Sequence, residues 1–130
     1  MNVTALLKAQ VQLKRIYVLL TEVHDISQQL ADALDRNDQV TARLLISMRS
    51  EPIQKLGLAR AALEEQKIEL PEAEGERLAA LLNGAAPQND EEQAFATQVK
   101  TNNRLLAQVL DLDKVLNLKI GREKSIYYKK

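Results

Sequence analysis

The stretch LLKAQVQLKRIYVLLTEVHDISQQLADAL, residues 6–34, decides the fold. Leu6, Leu13, Leu20 and Leu34 recur in one heptad register, with Ala9, Ile16, Val23 and Leu30 three places on. Only Ser27 interrupts this seam. Apolar residues spaced alternately by three and four lie along one face of a helix, and a sustained repeat calls for a second helix to cover that face. No Pro or Gly occurs before Asp35. The spacing therefore predicts one helix over 3–36, ~50 Å long at 1.5 Å per residue.

Outward from that helix, Asp35-Arg36-Asn37-Asp38 is a short polar break. Asn37 suits a left-handed conformation and Asp38 suits an N-cap. So short a connection predicts an antiparallel hairpin with a second helix over 39–66, whose inner stripe is Leu45, Met48, Leu56, Ala59 and Leu63. Pro52 removes a backbone donor inside that helix, so a kink or break is expected near Ser50. Pro71 suits a first helical position, and Glu72, Glu74 and Glu76 favour the positive end of a short helix over 72–82. Asn83-Gly84 ends it, 85–88 is a loop, and Asn89 caps a last long helix over 89–120 that starts with Asp90, Glu91 and Glu92. A basic tail, 121–130, completes the chain. The expectation is one all-α domain over 1–130: an elongated, coiled-coil-like antiparallel bundle of three long helices and one short one.

Composition agrees with helices and narrows function. Of 130 residues, 45% are hydrophobic and only 3% aromatic, so Leu, Ile, Val and Ala must supply the core. That palette favours packed helices over sheets. Lys+Arg equals Asp+Glu, which supplies no overall field toward nucleic acid or an anionic membrane. Basic residues gather only near the end, at Lys119, Arg122, Lys124, Lys129 and Lys130, where a helix dipole already favours them; nucleic-acid binding is not expected. No uncharged run approaches the ~18 residues of a membrane span, and the start lacks a signal-peptide core, so a cytoplasmic protein without membrane insertion is expected.

Catalytic equipment is sparse. There is no cysteine, and His24, the single histidine, sits beside the heptad seam. Ser-His-Asp triads and paired-histidine metal sites cannot be assembled within one such chain. The glutamate clusters at 72–76 and 90–92 fall at helix starts, where the macrodipole explains them. Four isolated glycines make no phosphate-cradling loop. These observations predict a protein that is not an enzyme and uses no cofactor or metal.

The last helix carries more apolar surface than one interface needs. At 100° per residue, Leu105, Leu106, Val109, Leu112, Leu116 and Ile120 form one face that can close the core. Leu110, Val115 and Leu118 point elsewhere, Leu118 nearly opposite. Three such residues predict a second covered surface, either burial on several sides within the monomer or a homodimer, or a seat for an amphipathic helix of a partner.

In its pattern over nearly the whole chain, the sequence resembles the FlgN family of flagellar type III export chaperones. A leucine heptad helix leads into Ala33-Leu34-Asp35-Arg36-Asn37-Asp38, and the second helix closes on Leu63-Glu64-Glu65. Asn102-Asn103-Arg104-Leu105-Leu106 and the stretch Gly121 to Tyr128 resemble the family's last helix and its glycine and tyrosine tail. The resemblance implies a cytoplasmic chaperone that binds C-terminal helical segments of hook-associated proteins, keeps them unpolymerised and delivers them to the flagellar export apparatus. Taken with the excess apolar faces of the last helix, the resemblance makes Leu105, Leu106, Leu110, Val115, Leu118, Tyr127 and Tyr128 the expected client-binding residues. A structural homo-oligomer or adaptor, or a chaperone of another secretion system, is the alternative.

Overall fold

A computed structural model describes the backbone of residues 2–128, with side chains through residue 121. It contains four helices, α1 (Val3–Asp35), α2 (Gln39–Glu69), α3 (Glu72–Leu82) and α4 (Asp90–Tyr128), and no strand among the described residues. The protein is an all-α bundle of three long helices and one short one.

α1 is the axis. Every position of its heptad seam is buried, Leu6, Ala9, Leu13, Ile16, Leu20, Val23, Leu30, Leu34 and also Ser27. Burying an aliphatic side chain of this size is worth about 1.5–3 kcal/mol, which is why this repeat selects the fold. Asn2 caps the helix through its side chain, which accepts from the Thr4 N–H. At the far end Asn37 adopts φ +58° and the Asp38 carboxylate accepts from the Thr41 N–H, so the chain reverses in three residues. α2 then returns antiparallel along α1: Arg49 meets Ser27, and Gln66 donates to the Ala5 carbonyl. α4 runs back parallel to α1, its Asn102 at the level of Leu13 and its Lys119 at Asp35. α1 packs against both α2 and α4, whereas α3 bridges α2 and α4 at one end.

Several expectations change. α2 runs to Glu69, three residues beyond the predicted end, and is continuous through Pro52, with no break near Ser50. Pro52 itself is buried, and Leu45 and Ala59 on either side are buried as well, so both halves of α2 are anchored in the core. Met48, assigned to the inner stripe, is exposed, while Leu45, Ala59 and Leu63 are buried and Leu56 half-buried. Pro71 is the N-cap of α3 rather than its first residue. α4 continues through Gly121 to Tyr128, so the expected tail is helical over most of its length. One glycine costs a helix only about 1 kcal/mol.

Candidate partner-binding surface

α4 is positioned by polar contacts as much as by its apolar stripe. Asn89 caps it, its side chain accepting from the Glu92 N–H at 2.8 Å. The Glu92 side chain is buried and takes the Arg77 guanidinium of α3 at 2.5 Å, together with the Gln88 N–H at 3.0 Å. The bonds from Arg77 hold the Glu92 carboxyl below its usual value, against the opposing effect of burial. Thus the acidic start of α4 does more than answer the helix dipole: one of its carboxylates fastens α3 and the 83–89 connection to α4.

Ten residues further along α4, Asn102 is buried and donates from Nδ2 to the Leu13 carbonyl at 2.8 Å, while its Oδ1 accepts from Gln98. Further along, Arg49 of α2 donates to the buried Ser27 hydroxyl at 2.8 Å and is ion-paired with Asp113 of α4. The residue that breaks the heptad is therefore the place where a cation from α2 and a carboxylate from α4 meet over α1. Lys119 pairs with Asp35 beyond it.

The predicted binding residues of α4 separate into groups. Val109 and Leu116 are buried and Leu105, Leu106, Leu112 and Ile120 half-buried, as the core face requires. Leu105 and Leu106, also expected as binding residues, pack against the core cluster with part of each side chain still accessible. Leu110, Val115 and Leu118 are 51%, 42% and 63% exposed. Val115 and Leu118, three residues apart, share a helix face, and Leu110 lies on another flank. Tyr127 and Tyr128 lie outside the described side chains.

A feature invisible in the sequence lies between α2 and α4. Their backbones hardly approach one another, and over the floor of α1 they leave a cleft of about 310 Å³. Leu13, Ile16 and Leu20 form the floor, with Leu56 and Leu63 on the α2 wall and Leu106 on the α4 wall.

Among the described residues no group of three His, Cys, Asp or Glu side chains is placed to hold a metal ion, and no helix is long and apolar enough to cross a membrane. His24 is half-buried beside the seam. Comparison with protein families, curated proteins and solved structures finds no significant match.

Proposed function

We propose that the protein is a cytoplasmic export chaperone of the FlgN type, binding the C-terminal helical segment of a flagellar hook-associated protein, preventing its polymerisation and delivering it to the export apparatus. The observation that carries this reading is the outer surface of α4, where Leu110, Val115 and Leu118 stand exposed on a helix whose core face is already occupied. Exposed apolar side chains gain by being covered, and Val115 and Leu118, three residues apart on one face with Leu110 on the adjoining flank, suit another helix. No catalytic role is assigned to any residue. The resemblance at Asn102-Asn103-Arg104-Leu105-Leu106 and in the Gly121 to Tyr128 stretch supplies the kind of client.

Replacing Leu110, Val115 and Leu118 together with Ser tests the surface. Calorimetric titration with a purified hook-associated protein should show affinity falling by about tenfold or more, since one buried leucine contact is worth roughly 1.5–3 kcal/mol. Equal affinities in a variant whose circular dichroism is unchanged would exclude it.

One observation favours a second reading, a structural homo-oligomer. Val3, Leu7, Val11 and Val18 are all exposed along the outer side of α1. Sedimentation equilibrium decides between the two: a monomer that binds client one to one supports the chaperone, and a stable oligomer indifferent to client supports the alternative.

A further inference from the structure

We propose that the cleft between α2 and α4 is a docking groove for an acidic amphipathic helix of a partner protein, whose apolar side chains enter over the α1 floor and whose carboxylates meet Arg60 and Lys100. The inference rests on the partner-binding reading but concerns a different surface and adds the partner's charge.

Three observations lead to it. Leucine and isoleucine from all four helices make up most of the cleft lining, with Arg60, Glu64, Asn102 and Asn103 as its polar residues, which favours an amphipathic ligand that puts apolar side chains over the floor. It is also not isolated. A second hollow of about 310 Å³ lies beside it, bounded by the 84–87 connection and the first turns of α4, and Asn103 borders both. Together they form a trough with two recesses, a shape that receives successive apolar anchors of one helix rather than a single compact molecule.

The third observation is the sign of the rim. Arg60 borders the first hollow and Lys100 the second, both exposed. Among the described residues neither is within ion-pair distance of a carboxylate. Glu64, the acidic residue bordering the trough, is already held by Lys67 at 2.7 Å. The free charge along the trough is therefore positive although the chain as a whole is neutral. A partner helix flanked by Asp or Glu gains on approach, and one flanked by Lys or Arg is repelled. At the opposite end the Arg49–Asp113 pair crosses from α2 to α4 and closes the trough, which limits the seated segment to the half of the bundle nearer α3.

The test uses the full chain and two fluorescein-labelled synthetic helices of about 20 residues with the same leucine stripe, one with glutamates beside the stripe and one with lysines. Anisotropy titration should show the glutamate peptide binding about tenfold or more tightly than the lysine peptide, with the gap narrowing as salt is raised. The double variant Arg60→Glu/Lys100→Glu changes two exposed side chains and should reverse the preference. Leu106→Trp, which fills the first hollow, should weaken the glutamate peptide by about tenfold while the melting temperature holds or rises. Equal affinities for the two peptides, binding by neither, or a preference untouched by the charge reversal would overturn the proposal. The same variants titrated with a hook-associated protein separate it from the chaperone reading. If that protein binds wild type and the charge-reversed chain alike, the groove falls and the chaperone stands. If only the glutamate peptide binds, and the charge reversal abolishes it, the groove stands and the chaperone reading falls.

Discussion

The two ends of the bundle are built differently. Near α3, four helices converge: Leu6, Leu13 and Ile16 of α1, Leu63 of α2, Leu78 and Leu81 of α3, and Phe95 and Val99 of α4 share one cluster. Phe95, Leu78 and Leu81 are completely enclosed. Near the 36–38 turn only three helices meet, and the cluster is Leu30, Ala33, Leu34, Ala42, Leu45 and Leu116. The Ser27–Arg49–Asp113 contact stands between them. A core of fourteen buried residues closed by four helices loses more when opened than one of six closed by three. The smaller end is the one that opens at lower free energy, and it carries Val115 and Leu118, with Leu110 just across the boundary beside Val109.

The largest expected effect tests this asymmetry directly. Phe95→Ala should cost about 3–5 kcal/mol and Leu116→Ala nearer 2, read as the difference between their denaturation midpoints. Equal losses would erase the distinction between the ends. Amide exchange offers a sharper view, because protection in α4 should fall on passing from residue 99 to residue 116. Uniform protection would mean one cooperative unit.

A smaller effect is expected at the boundary. Arg49→Met removes a cation whose side chain is only 20% exposed while leaving most of its packing, and should cost about 1 kcal/mol because Asp113, one-third exposed, can turn to water. Restoring a comparable stability with Arg49→Met/Ser27→Ala would identify the Ser27 hydroxyl as the group left unsatisfied. If the single variant is fully neutral, the contact does not hold the two clusters in line.

Next is acid. The folded-state pKa of Glu92 lies below the ordinary glutamate value of 4.5, so its ionised form stabilises the native state above that pH and the contribution is lost as pH falls through the lowered value. Glu92→Gln should weaken the α3 end at neutral pH and flatten the stability profile below 4.5. An unaltered acid limb would show that the Arg77 contact does not contribute. The least effect on stability is expected from the Leu110, Val115 and Leu118 triple change to Ser, with each position within about 0.5 kcal/mol. A large drop in melting temperature would place these side chains in a core.

The seam of α1 was legible because one period, repeated from Leu6 to Leu34, has a single helical interpretation. The turn was equally plain, since Asn37 and Asp38 express their preferences within three residues. Other features depend on partners far along the chain. Ser27 reads as a flaw until Arg49 and Asp113 are beside it, and no local pattern announces that meeting. Met48 was misplaced because α2 has a weak apolar period and only contact with α1 selects its inner face. The exposure of Leu118 followed from its angle on the helix wheel. The trough could not be read, because it is defined by two helices standing apart rather than by any residue.

The polar contacts also decide how the helices respond to sliding. A heptad seam is nearly periodic along its length, and moving α4 by seven residues against α1 would still set apolar side chains against apolar side chains. Such a slip would carry the Asn102 amide away from the Leu13 carbonyl and Asp113 away from Arg49, stranding polar groups at both ends of the glide. Two widely spaced latches turn a ruler with many equivalent marks into one with a single zero, so a force along the bundle axis meets its resistance at Asn102 and Arg49 rather than in the leucines.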